Sequence, residues 1–181
     1  MQAKFFLVFI IGAGIFFLYN VVLYFRTKVP IVISPKVYVD KLLKYLKQEY
    51  LVDNKTVVYE LGSGWGDFSF AIEKLGPKKI IAYELSPVHI LFSKLKAKFI
   101  HSKVVFEKKD FFEADLSEAD LVYVYLVPEI VDKLWQKMKK ECKSGTMMIL
   151  LGHPMGGLEP IKKISVNSKK TNSGIYYFYK I

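Results

Sequence analysis

A single cysteine, Cys142, stands in this chain of 181 residues. No intramolecular disulfide can form, in keeping with a reducing compartment. Histidine is nearly as scarce: His89, His101 and His153 are scattered without the spacing of metal ligands, so no metal is expected. Arginine is scarcer still. Arg26 is the one guanidinium among 27 basic residues, and its lack elsewhere removes the fork that reads bases and phosphates bidentately, which speaks against nucleic-acid recognition. Acidic residues number only 17, leaving a formal net charge of +10. A lysine-rich surface of that kind suits anionic lipid headgroups; nucleic acid and an acidic substrate are the other partners that charge alone allows. Hydrophobic residues are plentiful at 52%, so disorder is excluded.

Much of that hydrophobicity lies at one end. Phe5 to Phe25 form 21 consecutive residues without a charge, interrupted only by Gly12, Gly14 and Asn20. As a helix this run covers roughly 30 Å, the hydrocarbon thickness of a bilayer. It is longer than the apolar core of a signal peptide and lacks a small-residue cleavage site after it, so an uncleaved single-pass anchor at 5–25 is expected. Only Lys4 precedes the run, whereas Arg26, Lys28, Lys36 and Lys41 follow closely; the positive-inside bias then places the rest of the chain on the cytoplasmic side. The expected organisation is an anchor at 5–25, a linker at 26–34 and one α/β domain at 35–181.

Within that domain, strand-like and helix-like stretches alternate. Val39, Leu42, Leu43, Leu46 and Tyr50 recur at helical spacing, with Ser34 or Pro35 as the start signal. Strands are expected over 56–61, 79–85, 103–109, 120–126 and 146–151, with helices over 67–75, 87–100 and 128–142 between them. The strands are near-continuous apolar runs, which implies a parallel sheet covered on both faces. The tail departs from this rhythm: 161–166 and 175–181 read as an antiparallel hairpin. The stretch from His153 to Pro160 is too short and broken for a full helix, which leaves one sheet face less covered there or covered by another surface.

The most informative stretch is Glu60-Leu61-Gly62-Ser63-Gly64-Trp65-Gly66. Alternating glycines at the end of a first strand let the backbone pass close to a ligand, at the strand ends where open α/β sheets bind. The spacing is not that of dinucleotide enzymes, and no Lys-Ser/Thr follows, which excludes a nucleoside-triphosphate loop. Glu84 ends the second strand, 22 positions beyond Gly62, where an acid can accept both ribose hydroxyls. Together these features point to a nucleoside cofactor.

At this level the chain resembles the class I S-adenosylmethionine-dependent methyltransferases. Glu60 to Gly66 look like their first motif, Glu84 like their ribose-binding acid, and Lys109-Asp110-Phe111 like their adenine-side segment. The resemblance covers the chain from about Ile33 to Ile181 and implies a Rossmann-like, mostly parallel seven-stranded sheet of order 3-2-1-4-5-7-6 with the C-terminal antiparallel hairpin. More narrowly, Ile33-Ser34-Pro35, Tyr83-Glu84-Leu85-Ser86-Pro87 and Tyr123 to Glu129 are similar to the small membrane-anchored protein-lysine methyltransferases acting on the ATP synthase c subunit and the adenine nucleotide translocase, and to their prokaryotic relatives. The resemblance implies S-adenosylmethionine as cofactor, S-adenosylhomocysteine as product, no metal, and a membrane-associated protein as substrate. The expected cofactor-binding residues are Glu60, Gly62, Ser63, Gly64, Trp65, Gly66, Glu84, Leu85, Asp110, Phe111 and Tyr125.

Methyl transfer from a sulfonium is an in-line displacement that asks mainly for alignment and exclusion of water. A lysine amine with a pKa near 10.4 is neutral in only about one molecule in a few thousand at pH 7, so the site must help it shed a proton. Tyr125 and Glu129, after the fourth strand, are the candidate catalytic residues, with Tyr123 behind them. Asp120 begins that strand, at the wrong end of the sheet, and reads as structural. Tyr125 reads equally well as a packing aromatic, Trp65 as a cover for the turn, and Asp67 and Ser34 as helix caps. The Asn/Asp-Pro-Pro-Tyr pattern of amino-group methylation on adenine or glutamine is absent; Tyr125-Leu126-Val127-Pro128 stands in its place. Methylation of a lipid or quinone headgroup or another small molecule, an inactive membrane scaffold of the same fold, and a nucleic-acid methyltransferase are the competing readings.

Overall fold

The structure is a computed structural model that describes residues 2–27, 34–49, 51–166 and 174–181. Helix α1 (Gln2–Thr27) and the α/β part are separate compact units. Phe5–Phe25 within α1 are long and apolar enough to cross a membrane. The one amide side chain in this span, Asn20, donates to the carbonyl of Phe16 at 2.7 Å within the helix.

The α/β unit begins with α2 (Lys36–Gln48) and continues β1 (Val57–Leu61), α3 (Asp67–Ile72), β2 (Lys79–Glu84), α4 (Pro87–Phe99), β3 (Val105–Lys108), β4 (Leu121–Val124), α5 (Pro128–Glu141), β5 (Met147–Leu151), β6 (Lys162–Ser165) and β7 (Ile175–Lys180). The strands form one sheet of order β3-β2-β1-β4-β5-β7-β6. β7 pairs antiparallel with both β5 and β6, and the other pairs are parallel. This is the topology that the resemblance implies.

Both sheet faces are covered. Val58, Ala82, Leu121, Tyr123, Ile149 and Phe178 join Val39, Leu42 and Leu46 of α2 and Phe68 and Ile72 of α3 in one core. Alternate strand residues, among them Tyr59, Val122, Leu150 and Tyr179, are buried as well, and Trp135 of α5 meets Tyr179 with ring centroids 6.0 Å apart. Continuous burial along β1 and β4 explains why their sequences are apolar throughout except at Glu60.

Several details depart from the sequence reading. The strand expected over 120–126 is limited to Leu121–Val124. The strand expected over 103–109 narrows to Val105–Lys108, because Lys103 N–H donates to Glu73 and Val104 N–H to the Ser102 hydroxyl rather than to a neighbouring strand. The helix expected over 67–75 ends at Ile72 and tightens into a 3-10 turn at Glu73–Leu75. The segment after β5 is not a thin spot: Met155 is buried and its N–H donates to the Tyr179 hydroxyl at 2.9 Å, so the loop covers the sheet itself. Of the linker expected over 26–34, residues 26 and 27 belong to α1 and 28–33 lie outside the described residues, as do Tyr50 and 167–173.

Candidate active site

Parallel strands deliver their carboxyl ends to one edge, and β1, β2 and β4 bring the residues singled out above to that edge. The backbone at Gly62, Gly64 and Gly66 has positive φ, which folds the chain into a tight loop between β1 and α3. Gly62 and Ser63 N–H groups both donate to the Tyr83 carbonyl at 2.9 Å. The Gly64 N–H donates to Glu84 Oε2, and the Ser86 N–H to Glu84 Oε1, each at 2.8 Å. Each oxygen of Glu84 therefore takes one backbone donor and keeps acceptor capacity for another. The backbone of Lys109 continues the β3 ladder onto Glu84, N–H to carbonyl at 3.2 Å, which sets Asp110 and the buried Phe111 beside that acid. Asp110 Oδ1 accepts the Phe112 N–H at 2.9 Å.

Two hydroxyls bear on whether a ligand fits here. Ser63 Oγ is buried, at 6% residue exposure, with no hydrogen-bond partner among the described residues; the Tyr176 hydroxyl, at 0%, makes no hydrogen bond of ordinary geometry, although the Tyr123 hydroxyl interacts with it. Such groups are costly unless something completes them. Gly64 adds a third sign: a Cβ built there meets nothing within 4 Å. The space above the loop at Gly64 is open.

Glu60 takes a different position from its neighbours. Its carboxyl is buried and accepts from the Ser69 N–H and hydroxyl of α3, so it braces the loop from beneath. Burial pushes its pKa up to about 8, against the opposing pull of Ser69. A folded-state pKa above the unfolded value of 4.5 means stability present at low pH and lost as pH rises through about 8. Glu60→Gln should then gain on the wild type by about 1 kcal/mol per pH unit between about 4.5 and 8. Urea unfolding at a series of pH values checks this; parallel profiles for the two chains would contradict it.

Around the end of β4 the structure assembles a tyrosine cluster that the sequence did not announce. Tyr123 is fully buried, stacks on Phe68 at 3.8 Å between centroids, and meets the Ser34 hydroxyl at 3.2 Å. Ser34 thus holds Tyr123 rather than capping α2, whose N-cap is Pro35 with no side-chain bond. Tyr125 is half-buried; burial first, then neighbouring Tyr38, raises its pKa above the ordinary phenol value. Its ring packs over Gly152, where an added Cβ would lie 3.4 Å from Cε2. Tyr176 joins from β7, its ring centroid 6.4 Å from that of Tyr123, and burial raises its pKa as well. Glu129 lies exposed in the first turn of α5.

Trp65 is flanked by His89 and Phe92 of α4, at 4.2 and 5.7 Å between centroids. His89, unassigned by sequence, is buried, held at Nδ1 by the Ser86 hydroxyl, and its pKa is lowered by burial. The Ser86-Pro87-x-His89 run directly after Glu84 was the available signal. Leu85 is partly exposed beside Glu84. Asp67 makes no cap bond and instead reaches Lys96 at 3.8 Å. Asp120 is structural: it accepts the Val57 N–H at 2.7 Å and pairs with Lys143 at 2.6 Å. Among the described residues no group of His, Cys, Asp and Glu is able to hold a metal ion.

The pattern of the ANTKMT methyltransferase domain matches residues 60–162, from the glycine loop to the start of β6. The chain belongs to that family. It is an S-adenosylmethionine-dependent methyltransferase, and its relatives agree. A protein-lysine N-methyltransferase of Saccharolobus islandicus is 28% identical over 153 residues, covering 83% of this chain and 92% of that protein. The adenine nucleotide translocase lysine N-methyltransferase of Mus musculus is 26% identical over 104 residues, 56% of this chain and 45% of that protein. Among solved structures, an RNA methyltransferase from Salinibacter ruber in complex with S-adenosyl-L-homocysteine superposes with a TM-score of 0.72 at 29% identity, covering 83% of this chain and 94% of that one.

Proposed function

We propose that this methyltransferase modifies a lysine ε-amine of a membrane-associated protein, with Phe5–Phe25 as a single-pass anchor and the catalytic domain on the cytoplasmic side. The observation that carries the reading is the near end-to-end match to a protein-lysine N-methyltransferase. In this reading Ser63, Gly64 and Glu84 hold the ribose and amino-acid portions of S-adenosylmethionine, and Asp110, Phe111 and Leu85 border the adenine. Trp65 and Gly62 shape the loop, Gly66 lets α3 approach, and Glu60 braces it from behind. The cofactor supplies an electrophilic methyl group on a sulfonium.

The remaining work falls to the end of β4. Tyr125, with its pKa raised, stays an uncharged phenol at neutral pH. It accepts a hydrogen bond from an amine without tying the amine to a carboxylate, which would hold it in the protonated form. Its ring face attracts a cationic head. The ammonium releases its proton to water on entry, and Glu129, exposed in the first turn of α5, draws the cationic side chain toward that end of the sheet. Tyr123, buried and held by Ser34, keeps the strand end in place.

The decisive assay incubates membranes from a deletion strain with the full chain and radiolabelled S-adenosylmethionine, then separates protein, lipid and RNA. Label is expected in protein, on lysine, and absent when the domain carries Gly64→Arg. Label in the lipid extract would favour a headgroup or quinone substrate. Label in RNA would favour the activity of the Salinibacter neighbour.

A further inference from the structure

Helix α4 is apolar on two sides, and the domain uses one. His89, Ile90, Ser93 and Ala97 are buried. At 100° per residue, Leu91, Phe92, Leu95 and Phe99 fall within roughly 100° of arc on the opposite side. They are exposed by 57, 52, 55 and 87%. A contiguous apolar stripe of this size marks a contact surface on a soluble unit.

The stripe's borders say what it contacts. Lys94 and Lys98 stand exposed along one edge and Lys96 along the other, and α4 contains no acidic residue. Lys96 lies over the Phe70 ring and pairs with Asp67, which leaves Lys94 and Lys98 turned to solvent. Protein interfaces are depleted in lysine at their centres, and two copies meeting on this face would bring like charges together. Apolar residues bordered by lysine are instead the pattern of a helix lying in a membrane interface. The stripe also ends beside a basic cleft. Following Ile100, the cleft has a volume of about 400 Å³ and is lined by Lys78, Lys79, His101 and Lys103. Glu73 lines it too, but its carboxylate is taken up by the Ser102 hydroxyl and the Lys103 N–H; Lys79 also reaches Glu118 at 3.6 Å.

We infer that α4 docks in the plane of an anionic phospholipid bilayer, with Leu91, Phe92, Leu95 and Phe99 entering the acyl boundary and the flanking lysines meeting headgroup phosphates. Phe92 touches Trp65 of the glycine loop, so one end of the docked helix lies at the cofactor edge. Docking then presents the site to amines held at the membrane surface. The inference extends the membrane reading above but is read out separately from it.

The test uses the full chain in vesicles of equimolar phosphatidylcholine and phosphatidylglycerol, with Cys142→Ser and a nitroxide at Leu95→Cys or Phe99→Cys. Lys139→Cys, on the exposed side of α5, is the reference. Retained S-adenosylhomocysteine binding shows that each variant is folded. A several-fold rise in the ratio of oxygen to nickel-chelate collisions at 95 and 99, absent at 139 and reduced in pure phosphatidylcholine, is the expected result. Nickel access at 95 and 99 equal to that at 139 would overturn the inference. So would shielding from both reagents with spin–spin broadening, which would mean a second copy on this face. Resistance of the chain to carbonate extraction reports the anchor independently: a chain that washes out still has its label depth measured before the wash.

Discussion

Gly64→Arg removes S-adenosylhomocysteine binding by more than about 100-fold, or roughly 2.7 kcal/mol, while the protein stays folded. The reason lies in what surrounds the residue. A Cβ at this position meets no protein atom within 4 Å, so the new side chain has room, and that room is the open space above the loop. The Gly64 N–H is also the donor to Glu84 Oε2, so an arginine here displaces ligand and crowds the acid at once. The φ of +52° adds about 1 kcal/mol of backbone strain for a non-glycine residue, too little to unfold the domain. Isothermal titration alongside thermal melting separates the two effects. Undiminished binding would mean that the cofactor lies elsewhere.

A smaller substitution two residues later should do the opposite. Gly66→Ala costs about 2–4 kcal/mol of stability, combining the strain of φ +75° with overpacking. Its Cβ would lie 2.6 Å from Cε1 and Cζ of Phe106 and 3.1 Å from Phe70, two rings that themselves pack at 5.1 Å between centroids. Neither can withdraw without disturbing the contact between α3 and the sheet. For a domain of this size the melting temperature falls by about 5–15 °C; a loss under about 2 °C would show that Phe106 turns aside freely. The two substitutions thus separate a glycine that leaves open space above the loop from one that makes space for packing.

The contrast between these glycines measures what the sequence alone could say. Spacing along the chain made the loop and its acid legible, because Gly62 to Gly66 and Glu84 sit at the ends of consecutive strands and a parallel register carries them to one edge. Alternation of apolar runs with amphipathic stretches made the layer order and the terminal hairpin legible for the same local reason. Nothing local told Gly64 from Gly66, since the difference is the Phe106 ring on β3. Nor did Glu60 reveal that its carboxyl faces Ser69 beneath the loop; the pleat and α3 decided that.

The sequence by itself determined the fold class, the position of the glycine loop and the apolar run within α1, all of which rest on period and spacing. The tertiary structure decided which groups share a site without being neighbours in the chain. Tyr176 reaches Tyr123 because β7 inserts antiparallel beside β5, and Ser34 reaches Tyr123 from before α2. It also decided which side of α4 is spent. A helix with Ile90 and Ala97 on one side and Leu91, Leu95 and Phe99 on the other satisfies helical periodicity either way. Only packing against the sheet, which consumes one apolar side and leaves the other outward, shows that the second is available for a surface.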